Sequence, residues 1–230
     1  MKESERFNKE FFTTGDQKVG KGPESCTRDK LQTRNKDCGH YYQVAYFVNH
    51  YFHDLKMIEV GSGMGWITRH LKNHHQDIVG FDISQWAADN AVCDDIFCAD
   101  LLTIDTKKWQ RELVVCSNVM GYFEKEEVLK AIEQLGKLFT KYAVVVLQTR
   151  ENIVRNFGEE VMKNKEQPRR TFESWDWWKE QFATKGLILG KKHAQLADDP
   201  KAPVRLVPRG DGRPTMFILE HWKEGTKIYV

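Results

Sequence analysis

Between residues 59 and 65 the chain reads Glu-Val-Gly-Ser-Gly-Met-Gly, three glycines at alternate positions behind a carboxylate. A loop of this kind, set between a strand and a helix, turns tightly and lets a ligand come close to main-chain amides. A second carboxylate, Asp82, stands 17 positions after Gly65 at the end of another apolar run, where it can accept hydrogen bonds from ribose hydroxyls. Plainer readings exist for each part. The glycines also suit an ordinary βα turn, and Asp82 can act only as a cap for the helix that begins at Ser84. Taken together, at this spacing, the two features favour a nucleoside-bearing ligand.

The elements that must position these residues alternate in type. HYYQVAYFVNHYF places Tyr41, Val44, Ala45, Val48 and Phe52 at helical spacing, and the short apolar run MIEVG after it reads as a strand leading into the glycines. WITRHLKNH then reads as a helix, DIVGFDI as a strand, SQWAADNAV as a helix and DIFCADL as a short strand. ELVVCSN is a fourth strand. The helix KEEVLKAIEQLGKLF, with Val128, Leu129, Ile132, Leu135 and Phe139 on one face, leads to YAVVVLQTR, whose β-branched run suits a strand buried on both sides. Beyond Arg150 the pattern loosens into a helix over TFESWDWWKEQFATKG, started by Ser174 or Thr171 and stopped by Gly186. Two strands follow, LILGKKHAQ and TMFILEHW, separated by a long Pro- and Arg-rich loop. Such alternation implies a mostly parallel, doubly wound α/β sheet with helices on both faces and a ligand crevice at the carboxyl ends of its strands.

A nicotinamide-dependent dehydrogenase also uses a glycine loop and an acid after the second strand. Its G-x-G-x-x-G spacing is not met here, because Trp66 occupies the position of the third glycine. Over roughly residues 40 to 150 the sequence instead resembles the class I S-adenosylmethionine-dependent methyltransferases, with the acid-x-G-x-G-x-G loop, the second-strand acid, an Asp-Leu pair after strand three and a strand-four segment in matching order. The resemblance implies a seven-stranded sheet in the order 3-2-1-4-5-7-6 with the last strand antiparallel. It implies that Glu59, Gly61, Ser62, Gly63 and Gly65 hold the methionine part of S-adenosylmethionine and of the product S-adenosylhomocysteine. Asp82 would meet the ribose, Ile83 the adenine face, Asp100 and Leu101 the adenine edge. Asn118, in Ser117-Asn118-Val119-Met120, would lie near the sulfonium and the incoming acceptor. The N-P-P-[YFW] tetrad of amino-methylating DNA enzymes is absent, so methylation of a nucleic-acid base loses support.

No catalytic residue is assigned. His40, Tyr122 and His193 are candidates for a base near element ends, Trp177 and Trp178 either line an acceptor pocket or pack, and Arg169-Arg170 either binds an acidic group or is a solvated pair. His74-His75 lacks a third ligand at workable spacing, and no metal is expected.

Composition bounds the rest. A net charge of +2 is too small for a dedicated nucleic-acid binder, although residues 150–230 carry 16 basic against 12 acidic side chains while residues 41–149 carry 10 against 14. An anionic acceptor therefore fits the C-terminal third better. Five cysteines with no C-x-x-C pair indicate a reducing compartment. The polar start and the lack of a long apolar run point to the cytoplasm and away from membranes. The expected organisation is an N-terminal arm or lid over 1–39, with Phe7, Phe11 and Phe12 as its docking face, and one domain over 40–230. Within that domain, 150–178 is an acceptor-side insertion. The expected activity is O- or N-methylation of a small or medium-sized acceptor. Alternatives are a nucleic-acid or protein acceptor, and a non-catalytic regulator that binds the cofactor.

Overall fold

The structure, a computed structural model, describes residues 7, 11–12, 39–163, 169–197 and 215–224. Most of the expected arm and the Pro- and Arg-rich loop at 198–214 lie outside the described residues.

Seven strands form one sheet in the order β3-β2-β1-β4-β5-β7-β6. In chain order the elements are α1 (Gly39–Tyr51), β1 (Met57–Val60), α2 (Trp66–Asn73), β2 (Ile78–Asp82), α3 (Gln85–Asp89), β3 (Ile96–Cys98), α4 (Thr106–Trp109) and β4 (Arg111–Ser117). A single 3-10 turn over Met120–Tyr122 precedes α5 (Val128–Lys137), β5 (Phe139–Leu147), α6 (Arg150–Phe157) and α7 (Glu160–Lys163). Then come α8 (Trp175–Thr184), β6 (Leu187–Leu189), α9 (Lys191–Ala197) and β7 (Thr215–His221). Strands β1 to β5 run parallel, and β7 is antiparallel to both of its neighbours. The expected order and the reversed last strand are both present.

The sheet is buried on both faces, which explains why β1, β4 and β5 read as continuous apolar runs rather than alternating ones. One core layer sets Val60, Val114, Cys116 and Val145 against α5 and against Trp178 and Phe182 of α8. The other sets Met57, Val115 and Val144 against Val44, Phe47 and Val48 of α1 and Ile67 and Leu71 of α2. Thr149, Asn152 and Thr215 form a small polar knot in the interior: the Asn152 amide oxygen accepts from the Thr149 amide and from both hydroxyls, tying the start of α6 to β7.

Two expectations need correction. The LILGKKHAQ segment is strand only over Leu187–Leu189; a helix starts at Lys191 and buries His193 and Leu196. Burying His193 and Leu196 at helical i, i+3 spacing outweighs the strand reading. On α5 the buried positions are Val128, Ala131, Ile132 and Leu135, while Leu129 is 38% exposed. Ala131 supplies the i, i+3, i+4, i+7 stripe that Leu129 seemed to supply, and Phe139 already belongs to β5. Ile132→Ala should therefore lower the unfolding free energy by about 2–5 kcal/mol, and Leu129→Ala by less than about 0.5 kcal/mol. Urea denaturation of the two variants checks this, and equal losses would place the wrong face inward.

Candidate active site

The carboxyl ends of β1, β2 and β4 open on one cleft, whose atom-free space, mouth included, is about 1090 Å³.

The floor is the glycine loop, held in place from β2. The Ser62 amide donates to the Phe81 carbonyl (2.9 Å), and the Gly63 amide donates to Asp82 Oδ2 (2.8 Å). Asp82 Oδ1 accepts from the Ser84 amide (2.9 Å), so one carboxylate secures both the loop and the turn into α3, which Ser84 caps through the Ala87 amide. Burial pushes the Asp82 carboxyl upward, and the Ser84 and Gly63 amides oppose that shift. Asp82 thus organises the turn into α3 and also lines the cleft.

Two glycines are required by what lies against them. Gly61 has φ +65°, and a Cβ there would sit 2.2 Å from Val119 Cγ2; Gly65 has φ +79°, and a Cβ would sit 2.7 Å from Ile96 Cγ1. Of the ten residues expected to bind the cofactor, Glu59, Gly61, Ser62, Gly63, Asp82, Ile83, Asp100, Leu101 and Asn118 line the cleft. Gly65 does not. It is the left-handed N-cap of α2, turned toward β3, and its task is to let the helix approach the sheet.

Glu59 is only 2% exposed, and its Oε2 accepts from both the amide and the hydroxyl of Thr68, at 2.9 and 2.6 Å. Thr68 is in the first turn of α2, so the carboxyl satisfies an open helix amide from within the core. Burial, only partly offset by the Thr68 hydrogen bonds, raises the Glu59 pKa to about 8, and nearby Asp82 adds to the rise.

The remaining walls are aromatic. Phe7, Phe11 and Phe12 sit at the cleft, as the docking reading of the arm expected. Phe12 stacks on Trp86 at 5.8 Å, while Phe7 and Phe11 meet Tyr122 edge-on at 5.4 and 6.2 Å. Tyr41 and Phe123 complete this side. Sequence reasoning did not assign Tyr41, Val119, Phe123 or Thr68, whose roles depend on contacts between distant segments.

Among the other candidates, Tyr122 reaches the cleft, but His193 does not. His193 accepts the Ile218 amide on Nδ1 in the interior, and burial lowers its pKa to about 4, so it is a neutral structural acceptor. The side chain of His40 lies outside the described residues. Trp178 is 1% exposed beside Phe182, and the half-buried Trp177 meets it edge-on at 5.0 Å and packs against the same core layer, so neither lines the cleft. Ser174 caps α8, and Thr171 instead donates to the Phe123 carbonyl. Among the described residues no cluster of three metal-ligating side chains exists, and no helix is long and apolar enough to cross a membrane.

A mostly parallel sheet with a cleft at its carboxyl edge defines a doubly wound α/β protein. Residues 30–189 match the family described as Methyltransferase domain. The fold is similar to that of magnesium protoporphyrin IX methyltransferase from Synechocystis with S-adenosylhomocysteine bound (TM-score 0.61, 12% identity, 93% of this chain and 97% of that chain covered). It is also similar to an S-adenosylmethionine-dependent methyltransferase from Clostridium acetobutylicum (0.62, 9%, 86% and 100%). A TehB-like methyltransferase from Corynebacterium glutamicum gives 0.59 at 14% identity, over 84% of this chain and 97% of that one. At these identities the likeness is one of fold. No curated protein matches the chain in sequence. The chain belongs to the methyltransferase domain family and is a class I, S-adenosylmethionine-dependent methyltransferase.

The Glu59 shift gives a pH test. A carboxyl at about 8 when folded and 4.5 when free binds its proton more tightly in the folded state, so stability falls as pH rises between those values and is flat above. Glu59→Gln keeps an oxygen for Thr68 and should remove this slope. The difference in unfolding free energy between the two proteins, followed from pH 4.5 to 8.5, reads it; a pH-independent difference would contradict the buried, protonated carboxyl.

Proposed function

We propose that the cleft holds S-adenosylmethionine across the glycine loop and that the enzyme methylates an oxygen or nitrogen of a small or medium-sized acceptor bound on the aromatic side. The observation that carries this reading is the composition of the cleft: the carboxyl-bearing Asp82 and Asp100 line it, and its lining holds no Lys, Arg or His among the described residues. Such a surface suits a ligand with two cationic centres, as the sulfonium and ammonium of the cofactor provide. Two buried hydroxyls on the lining, Ser62 Oγ and Ser117 Oγ, have no hydrogen-bond partner among the described residues, and a polar ligand would satisfy them.

Gly61, Ser62, Gly63 and Glu59 are then assigned to the methionine portion, Asp82 to the ribose, and Ile83, Asp100 and Leu101 to the adenine. Asn118, at φ +59° just past β4, faces the reacting end. When bound, the cofactor supplies an electrophilic methyl group. The chain's own contribution is orientation: Tyr41, Tyr122, Phe123 and the Phe7–Phe11 pair form apolar walls that align an acceptor and keep water out. Phe7, Phe11 and Phe12 cover the cofactor, a reading supported by Phe12 lying against Gly63 and Trp86. The three described cysteines, Cys93, Cys98 and Cys116, are free, which supports a cytoplasmic location.

Calorimetric titration with S-adenosylhomocysteine tests the assignment. Wild type should bind in the micromolar range; Asp82→Ala should lose about tenfold or more, as expected for removing a hydrogen bond to a charged group, and Gly63→Arg should lose at least as much, because a side chain at φ +53° beside Phe12 occupies the ligand's space. Phe12→Ala should weaken binding several-fold if the arm covers the ligand, and leaves it unchanged otherwise. Absence of binding to folded wild type would reduce the glycine loop to a structural turn.

A further inference from the structure

Arg169 is placed differently from every cation around it. The segment that carries it returns to the active-site turn, where the Arg170 and Thr171 amides both donate to the Gly121 carbonyl, at 2.8 and 3.1 Å. The Arg169 shaft fills the space over Gly121, where a Cβ would meet its Cγ and Cδ at 3.3 Å. Its guanidinium lies 5.7 Å from the centre of the Tyr122 ring, and Nη1 donates to Gln148 Oε1 at 2.6 Å. Tyr122 is a wall of the cleft, and Gln148 directly follows β5, at the same edge of the sheet as Asn118.

The neighbouring cations are neutralised. Arg170 pairs with Glu124 at 3.2 Å, and Lys125 pairs with Glu173 at 2.6 Å. Among the described residues Arg169 has only a neutral amide and an aromatic face as partners, so a half-buried guanidinium keeps its charge and most of its N–H donors uncommitted behind Tyr122, next to the cleft and outside its lining. A fixed, planar fork in that state matches a carboxylate, which it can bind through two parallel hydrogen bonds. One unpaired positive charge balances a monoanion and not a phosphate dianion. The aromatic side of the cleft, which Tyr122 shares with Phe7, Phe11 and Phe123, calls for an apolar or aromatic body.

We propose that Arg169, braced by Gln148 and Tyr122, is the specificity residue that receives a carboxylate of the methyl acceptor, so that the substrates are apolar or aromatic carboxylic acids. The proposal rests on the assignment of the cleft to a cofactor and an acceptor. It goes beyond that assignment in naming the chemical class of the acceptor. Arg169 selects and orients the acid, and it takes no part in moving the methyl group.

The test uses the full-length protein saturated with S-adenosylhomocysteine. It is titrated with 3-phenylpropionate, indole-3-acetate and benzoate, with the amide of each, and with phenyl phosphate. At least one carboxylate should bind about tenfold more tightly than its amide, and phenyl phosphate should bind less well than that carboxylate. Arg169→Gln should abolish the preference for acid over amide while changing S-adenosylhomocysteine affinity less than twofold. Arg169→Lys, which keeps the charge and loses the fork, should retain part of the preference. Equal binding of acids and amides by wild type would overturn the proposal, as would an unchanged preference in Arg169→Gln or a phosphate that outcompetes every carboxylate. A protein that binds S-adenosylhomocysteine and none of these acids also overturns it. Failure to bind S-adenosylhomocysteine at all would strike the cofactor assignment itself, so the two failures are told apart.

Discussion

One buried carboxylate, Asp82, holds the site together. Its two oxygens take the Gly63 amide from one βα turn and the Ser84 amide from the next, so the ends of β1 and β2 cannot move independently. Burying a charge is costly unless it is hydrogen-bonded, and these two backbone donors offset part of the cost. The same side chain faces the cleft, so the group that shapes the loop is also available to a ligand. Removing it would unfasten the floor and delete a polar contact together.

Around this tie the loop is fitted by close approach. Gly61 yields to Val119 after β4, and Gly65 yields to Ile96 of β3, so the spacing of the glycines records where two other segments press against the turn. Glu59, at the root of the loop, turns inward to the first turn of α2 through Thr68. Loop, helix start and strand ends thus form one unit before any ligand arrives, which is the preorganisation that transfer by alignment requires. The aromatic side is assembled from more distant pieces: Phe7, Phe11 and Phe12 from the start of the chain, Tyr41 from α1, and Tyr122 and Phe123 from the turn after β4.

Much of this could be read from sequence because it is local. Strand, glycines, helix and second-strand acid succeed one another within about 25 residues of chain, and the long apolar runs of β4 and β5 mark strands buried on both faces. What failed was the assignment of jobs that depend on tertiary contact. Gly65 looked like its neighbours but is spent on packing against β3. Leu129 looked like a core residue because apolar character does not state which way a helix is rotated. The helix at Lys191–Ala197 was hidden because three strand residues precede it without a clear break. His193 is a candidate base by residue type alone, and only the Ile218 amide beside it reveals a structural acceptor.

Binding of S-adenosylmethionine and its product in the cleft at the glycine loop is the central proposal. Amide-resolved NMR titration of the labelled protein with S-adenosylhomocysteine tests this most directly. Large shifts should appear at the Gly61, Ser62, Gly63, Ile83, Leu101 and Asn118 amides, with little change at β6 and α9. A folded protein whose loop amides stay unchanged at millimolar ligand, or whose shifts gather elsewhere on the sheet, would contradict it.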